Sequence, residues 1–185
     1  MANIEKAKLI QGWVEEDELN TIATWAMSRP KIIEIGTWKG RTTRALCDNN
    51  SGEVVTIDNW KGALVPVDNG FWELDEYGPD YVYNVFMENL KDHLDSGKLT
   101  VVKGFSADAV KVLINKYGFE YFDMLWIDGG HEYEVVRKDI IYYRPLLKPK
   151  AQLCGHDFYY PGVKQSLDEL IAGYWHSGNL WSKEI

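Results

Sequence analysis

The sequence predicts a doubly wound α/β fold, with a mostly parallel sheet and helices on both of its faces. Short apolar segments alternate along the chain with segments of helical periodicity, which is the pattern of repeated βα units. The apolar segments are continuously hydrophobic, as strands are when helices cover both faces of a sheet. The chain has 185 residues, enough for one such fold and too few for two of ordinary size. We therefore expect a single domain over residues 1–185.

The N-terminal segment, residues 1–30, is predicted to be helical near residues 16–28. Apolar side chains recur there on one face, at Leu19, Ile22, Ala23 and Ala26. Pro30 ends the pattern, because proline is poorly tolerated inside a helix. The alternating part of the chain follows.

Strands and helices alternate from Lys31 onward, and right-handed crossovers leave few topologies for this order. The tail GNLWSKEI offers at most one edge strand, so the sheet is expected to be shortened at its C-terminal edge. The strands are expected near residues 31–35, 53–58, 99–103, 121–127 and 151–155, and the helices near 41–48, 81–95, 107–117, 132–144 and 162–173.

Residues 59–80 form an insertion that is too long for an ordinary βα connection of roughly 2–6 residues. The segment is rich in Gly, Pro and aromatic residues, and such loops often act as lids or substrate walls. A disordered insertion is the alternative. It is disfavoured by the aromatic side chains Trp60, Phe71, Trp72 and Tyr77. We therefore predict a lid-like segment.

Composition excludes several classes of protein. A formal charge of -8 opposes binding to nucleic acid, which depends on clustered Lys and Arg. No apolar run approaches the roughly 20 residues that span a bilayer, and the N-terminus lacks the apolar core of a signal peptide. We expect a cytoplasmic protein that binds neither nucleic acid nor membrane. Cys47 and Cys154 lack metal-type spacing and are expected to be reduced thiols, with a disulfide as the alternative.

The turn after the first strand, in EIGTWKGRTT, is a candidate ligand site. Its glycine spacing does not match a P-loop, and Trp38 stands where a dinucleotide fingerprint needs glycine. What remains is acid-x-Gly-x-x-x-Gly before a helix start, whose free N–H groups can hold a carboxylate. S-adenosylmethionine has a carboxylate, a cationic centre and a ribose, and it suits this turn. The candidate residues are Glu34, Gly36, Thr37, Trp38, Gly40, Thr42 and Thr43.

The next two strand ends support a nucleoside site. Asp58 ends the second strand, where a carboxylate could accept two ribose hydroxyls, and Trp60 follows it. The third strand ends in a turn of mostly small residues that could admit an adenine against Phe105. Ser106 taken alone would be interpreted as a helix N-cap. The candidates from this turn are Gly104, Phe105, Ser106 and Ala107.

Polar side chains follow the fourth and fifth strands. Asp128 and His131 come after the fourth strand, and His156 and Asp157 after the fifth. Neighbouring parallel strands bring these ends to one edge of the sheet, so the four side chains are expected to converge beside the nucleoside site. Carboxylates with an imidazole suit Mg²⁺ or Mn²⁺, and no Cys/His set has zinc spacing.

Four segments carry a family resemblance, covering about residues 31–173. EIGTWKGRTT, VVTIDNWKG, WIDGGHEYEVVRKDI and GHDFYYPGVKQSLDEL resemble class I S-adenosylmethionine-dependent methyltransferases. They are most similar to the small-molecule O-methyltransferases of the family 24 type, which are related to sugar and macrolide enzymes and more distantly to catechol O-methyltransferase. The resemblance implies the Rossmann-like class I fold and methyl transfer from S-adenosylmethionine to a hydroxyl of a sugar-like or phenolic small molecule.

The resemblance also implies roles for the polar cluster. Asp128, His156 and Asp157 would bind Mg²⁺ or another divalent cation, Asp128 would also contribute to catalysis and cofactor binding, and His131 would be the general base. Lys150 departs from the family pattern, which has glycine before the fifth strand, and the C-terminus looks too short for the usual final strand pair.

Other functions stay open at this point. A branch of the family without a metal is one, and a catalytically silent nucleoside-binding or interaction module is another, because a fold alone does not establish chemistry. A nicotinamide-dependent oxidoreductase would use Asp58 but is disfavoured by Trp38. The identity of the acceptor and homo-oligomer formation are also left open.

Overall fold

A seven-stranded sheet lies at the centre of the computed structural model, which describes residues 1–61 and 76–185. The strand order is β3-β2-β1-β4-β5-β7-β6. Neighbouring strands from β3 to β5 are parallel, while β7 is antiparallel to β5 and to β6. The predicted doubly wound α/β class is therefore confirmed. The strands are β1 (Lys31–Ile35), β2 (Glu53–Asp58), β3 (Leu99–Lys103), β4 (Phe122–Ile127), β5 (Leu147–Gly155), β6 (Trp175–Ser177) and β7 (Leu180–Glu184).

Helices cover both faces of the sheet, with one hydrophobic cluster under each layer. The N-terminal segment packs with α1, α2 and α3 on one face, and α5, α6 and α7 pack on the other. No helix in the described ranges is long and apolar enough to cross a membrane. The helices are α1 (Glu16–Ala26), α2 (Arg41–Asn49), α3 (Tyr81–Asn89), α4 (Lys91–Asp95), α5 (Ser106–Tyr117), α6 (Tyr133–Tyr143) and α7 (Pro161–Leu170), with 3-10 turns at Ala7–Leu9 and Arg144–Leu146.

The C-terminal edge corrects the prediction of a shortened sheet. Two strands, β7 and β6, extend it beyond β5 and are joined by the two-residue turn Gly178-Asn179. Gly178 has a φ of +57°, which glycine adopts without strain. The side chain of Trp181 is fully buried, and its indole Nε1–H donates to the carbonyl of His156 at 2.9 Å. Five- and three-residue strands are thus long enough to form the pair.

Two further element boundaries differ from the prediction. The helix expected over residues 81–95 is two helices, because Leu90 leaves the helical conformation (φ -110°, ψ 9°) with its side chain fully buried. Strand β5 begins at Leu147 instead of residue 151, and its pairing with β4 shifts register between Phe122 and Met124. Lys150 has a φ of +67° within this irregular stretch. Lys150, which stands where the family pattern has glycine, therefore lies at a backbone irregularity in β5.

An ion-pair network fixes helix α2, which follows the candidate cofactor turn. Arg44 is buried and contacts Asp48 at 2.8 Å and Asp92 at 2.7 Å, while His93 Nε2 lies 2.8 Å from Asp48. Burial tends to raise the pKa of Asp48, but its hydrogen bonds with His93 and Arg44 outweigh burial and lower it. Because Asp92 and His93 belong to α4, the network ties α4 to α2 and so holds the helix behind the turn.

Replacing Asp48 by Asn should weaken this network in a pH-dependent way. A depressed carboxyl pKa stabilises the fold above the ordinary value of 3.8, and this stabilisation is lost as the pH falls through the folded-state pKa. At pH 7 the variant should lose about 1.5–3 kcal/mol of unfolding free energy, measured by urea denaturation, because charge-assisted hydrogen bonds are removed. The loss should shrink in acid. Asp95→Asn, which removes an exposed pair with Lys91, is the control, and equal losses in both variants would contradict the role of the network.

Candidate active site

A cavity of about 1060 Å³ opens at the carboxyl ends of strands β1 to β5. This is the edge at which open α/β sheets bind ligands. Most of the side chains predicted at the first three strand ends meet there, together with the four polar side chains that follow β4 and β5. The predicted cofactor residues that line the cavity are Gly36, Thr37, Trp38, Thr42, Asp58, Trp60, Gly104, Phe105, Ser106 and Asp128.

The first turn passes very close to β4. Gly36 has a φ of +85°, and a Cβ at this position would lie 2.0 Å from the carbonyl oxygen of Asp128. Backbone hydrogen bonds hold the approach, from Gly36 N–H to Ile57 and from Asp128 N–H to Ile35. Only glycine fits here, so the glycine of the sequence motif is required by the meeting of two strand ends.

Asp58 organises the turn with hydrogen bonds that the sequence did not indicate. One carboxylate oxygen accepts the N–H groups of Thr37 at 2.8 Å and Trp38 at 2.9 Å, and the other accepts that of Trp60 at 2.7 Å. A carboxylate offers about four acceptor positions, so few remain for ribose hydroxyls. The simple bidentate picture of Asp58 is therefore incomplete.

Four predicted cofactor residues, Glu34, Gly40, Thr43 and Ala107, do not line the cavity. Glu34 is fully buried beneath the turn, where one of its oxygens accepts the hydroxyls of Thr43 at 2.6 Å and Thr56 at 2.7 Å. Burial raises the pKa of Glu34 to about 8, and its other oxygen has no hydrogen-bond partner among the described residues. Glu34 and Thr43 thus support the turn from below.

Ser106 does not cap helix α5. Its hydroxyl donates to Asp139 of α6 at 2.6 Å, and both side chains line the cavity. The N-cap position belongs to Phe105, whose ring is 43% exposed and also faces the cavity. The predicted small-residue turn is therefore present, but the hydroxyl of Ser106 links two helices.

The four polar side chains converge as expected. His156 Nδ1 lies 3.3 Å from Asp157 and 3.8 Å from Asp128, and His131 Nε2 lies 2.7 Å from the other oxygen of Asp157. One ligand atom from each of Asp128, His156 and Asp157 falls within 4.8 Å of the other two. Ligands of one octahedral cation lie about 3 Å apart when adjacent and about 4 Å apart when opposite. These residues could therefore share a divalent cation.

Charges within the cluster are strongly coupled. Burial raises the pKa of Asp128, and the neighbouring charge of Asp157 adds to this effect. Burial also opposes ionisation of Asp157, but hydrogen bonds from His131 and His156 hold its pKa well below the usual range. Burial disfavours charge on both histidines, yet Asp157 and Asp128 outweigh it and raise the pKa of each, that of His156 to about 10. Protonated histidines thus balance the negative charge of the carboxylates, at a place where a bound cation could do the same.

The N-terminal segment forms one wall of the cavity, which the sequence analysis did not predict. Gly12, Trp13 and Val14 line it, and the ring of Trp13 lies 4.2 Å from that of Trp38. Arg41 holds this wall by donating to the carbonyls of Lys8, Ile10 and Val14 at 2.7–2.8 Å. The cavity is also lined by Tyr159 and Tyr160, between β5 and α7.

Trp60 lies near the start of the predicted lid but is itself anchored. Its indole donates to the carbonyl of Trp38 at 2.8 Å, and its ring packs against Tyr83 and Phe86. Residues 62–75, with Phe71 and Trp72, lie outside the described residues. The lid-like role of residues 59–80 therefore stays a prediction.

The chain matches one family of known proteins. The model of methyltransferase family 24, described as a methyltransferase domain, matches residues 33–158, which extend from β1 to just beyond Asp157. No curated protein matches the chain in sequence. The matched range includes the first turn, Asp58 and the whole polar cluster, so it contains the cavity-lining strand ends.

Solved structures with the same fold include the O-methyltransferase from Bacillus cereus in complex with SAH, at 15% identity and a TM-score of 0.70 over 98% of this chain and 87% of that chain. SAH-bound methyltransferase PaMTH1 from Podospora anserina is 13% identical, with a TM-score of 0.67 over 97% and 83%. CalS11, a TDP-rhamnose 3′-O-methyltransferase of calicheamicin biosynthesis, is 13% identical, with a TM-score of 0.63 over 92% and 81%. At these identities the likeness shows the fold.

Replacing Glu34 by Gln should change how stability depends on pH. A carboxyl whose pKa is raised in the folded state binds its proton more tightly there than in the unfolded chain, so stability falls as the pH rises from about 4.5 to about 8. The Gln variant lacks this titration, so its unfolding free energy relative to the wild type should increase between pH 5 and pH 9. Urea denaturation at several pH values measures the difference.

Glu88→Gln is the control for Glu34, because Glu88 is exposed on α3. Its stability should follow that of the wild type at every pH. If the wild type and Glu34→Gln showed parallel pH curves, Glu34 would not be the buried proton-binding group described above.

Proposed function

Since the chain belongs to methyltransferase family 24, we propose that it transfers the methyl group of S-adenosylmethionine to a hydroxyl of a small, sugar-like or phenolic molecule. The observation that carries the proposal is the cavity at the strand ends, where the glycine turn adjoins the cluster of two aspartates and two histidines. Two relatives in fold are SAH-bound methyltransferases, and a third acts on TDP-rhamnose, as their names state. This supports the same class of cofactor and acceptor.

The cofactor would lie along the first three strand ends. Its methionine carboxylate would approach the N-terminus of α2, where Thr42 lines the cavity and free N–H groups favour an anion. Its ribose would use the remaining acceptor positions of Asp58. The adenine would lie against Phe105, beside Gly104 and Ser106. This order directs the methyl group toward Asp128, at the end of the neighbouring strand β4.

A divalent cation would be held by Asp128, His156 and Asp157. When bound to the acceptor, it would lower the pKa of the reacting hydroxyl. The acceptor oxygen would then attack the sulfonium methyl in line, so that an O–C bond would form as the C–S bond breaks, S-adenosylhomocysteine leaves and the hydroxyl proton passes to a base. The chain needs to supply only position and a base.

His131 would take the acceptor proton. Its Nε2 is paired with Asp157 at 2.7 Å, which orients the ring and leaves Nδ1 to receive the proton. The raised pKa of His131 makes it a stronger base than a free imidazole. The ring of Tyr160 packs 4.4 Å from that of His131, and Tyr159 and Trp13 expose aromatic surface on which a sugar or phenol can stack.

Titration calorimetry with S-adenosylmethionine, S-adenosylhomocysteine and NAD tests the cofactor. We expect the first two to bind and NAD to fail. Asp58→Ala should weaken binding roughly 10- to 150-fold, since it removes charge-assisted hydrogen bonds of about 1.5–3 kcal/mol.

Turnover with a panel of sugar-nucleotide and catechol acceptors, with and without a chelator, tests methyl transfer. Cofactor binding with no turnover on any acceptor would favour a silent module.

Replacing His131 by Ala should lower the rate roughly 10²- to 10⁴-fold while leaving S-adenosylhomocysteine affinity unchanged. Because the base must be neutral, the wild-type rate should rise with pH through a pKa above 6.5. The variant should lose this rise of the rate with pH. Its rate should recover partly at high pH, where the acceptor ionises unaided. His176→Ala, which removes an exposed imidazole on β6, is the control. A full rate in His131→Ala would assign the proton to another group.

A further inference from the structure

We propose that Glu18 of helix α1 is a positioning residue that keeps the Nδ1 atom of His156 directed at the cation, and that the resulting nitrogen ligand makes the site prefer Mn²⁺ or Co²⁺ over Mg²⁺. The inference rests on the proposed function for the presence of a cation. It adds a residue that lies outside the strand ends and outside residues 33–158. The inference also states which divalent cations the site would prefer, whereas the carboxylates alone would accept any of them.

The two nitrogens of His156 face different partners. Nε2 lies 3.1 Å from a carboxylate oxygen of Glu18, and Nδ1 lies toward Asp157 and Asp128 at 3.3 and 3.8 Å. A neutral imidazole that donates Nε2–H to a carboxylate carries its lone pair on Nδ1. The contact with Glu18 therefore selects the tautomer in which Nδ1 can bind a cation together with the two aspartates.

The backbone of His156 is held by two hydrogen bonds. Its N–H donates to the carbonyl of Ile127 at 3.1 Å, and its own carbonyl accepts the indole N–H of Trp181 at 2.9 Å. The side chain is 5% exposed and packs near the ring of Trp126. With the backbone fixed and the ring buried, the contact of Nε2 with Glu18 keeps Nδ1 directed at the aspartates.

Glu18 is itself held in place. It occupies the third position of α1 and forms a capping box with Glu15, whose N–H donates to the same oxygen that faces His156. Leu19 and Ile22, on the same helix, are fully buried in the core. A carboxylate fixed in this way can orient a ligand, since metal-binding histidines commonly donate their second N–H to a carboxylate that raises ligand basicity.

The donor set favours a transition metal. Mg²⁺ prefers oxygen ligands and keeps its waters, whereas imidazole suits later first-row ions, whose affinity for such sites rises from Mn²⁺ to Co²⁺. Two carboxylates would serve Mg²⁺ and Mn²⁺ alike. The imidazole of His156, made more basic by Glu18, is the ligand that separates them.

The experiment measures cation affinity in the whole protein after chelator treatment, by calorimetry with Mg²⁺, Mn²⁺ and Co²⁺ and by the electron paramagnetic resonance of free Mn²⁺. Wild-type protein should bind Co²⁺ and Mn²⁺ more tightly than Mg²⁺. Glu18→Ala should weaken Mn²⁺ binding 10- to 100-fold. Glu18→Gln should weaken it less, because its amide oxygen can still accept Nε2–H. His156→Asp should reduce the preference for Mn²⁺ over Mg²⁺, because all three ligands are then oxygens.

Glu16→Gln is the matched control, because Glu16 lies on the same turn of α1 and is exposed. It should bind all three cations as the wild type does. S-adenosylhomocysteine affinity, measured for each variant, shows that the fold and the cofactor site are intact. Glu18→Gln keeps an acceptor for the capping box, so it serves if Glu18→Ala does not fold.

Three results would overturn the inference. Wild-type affinity for Mn²⁺ in folded Glu18→Ala, or in Glu18→Gln if the Ala variant does not fold, would reduce the Glu18–His156 contact to a structural ion pair. Equal wild-type affinities for Mg²⁺ and Mn²⁺ would remove the preference. Absence of any cation binding by the wild type would also remove the cation from the proposed function, while retained S-adenosylhomocysteine binding would leave the cofactor assignment standing.

Discussion

The close approach of the first turn to the end of β4 is the constraint on which the site depends. Gly36 and the carbonyl of Asp128 leave no room for a side chain between them. The turn that would hold the cofactor and the aspartate that would hold the cation are therefore adjacent through their backbones. A shift of either strand end would change the distance between methyl donor and acceptor, and in-line transfer tolerates little misplacement. The sheet, through β1 and β4, fixes this distance.

Carboxylates around the cavity differ in function because their surroundings differ. Glu34 is fully buried, and one of its oxygens has no partner in the described part of the chain, so its pKa is raised and it stabilises the turn as a largely neutral acid near pH 7. Asp58 accepts backbone N–H groups that keep the turn closed on β2. Asp157 lies between two imidazoles that keep it ionised. A sequence motif records only that an acid is present, whereas burial and donors decide whether the acid is charged.

The sequence was sufficient to predict what depends on local pattern and on the order of strands. The five parallel strands, the glycine at the first turn and the meeting of Asp128, His131, His156 and Asp157 follow from periodicity and from the rule that parallel strand ends share an edge. It was insufficient for contacts set by packing between distant segments. The hydrogen bonds of Asp58, the N-terminal wall and the break at Leu90 carry no local signal. The Gly178-Asn179 turn does carry one, since Gly-Asn between short strands is a hairpin signal, although the shortness of the tail argues against a strand pair.

His156 is contacted by segments from near both ends of the described chain. Glu18, near the N-terminus, contacts its side chain, and Trp181, near the C-terminus, contacts its carbonyl. Gly155 lies directly beneath Trp181, where a Cβ would meet the indole ring at 2.6 Å. The final strand pair and the first helix therefore converge on His156. Because the contacts on His156 come from α1 and β7, changes far from the cavity in sequence can alter the orientation of His156 while the strand-end motifs stay the same.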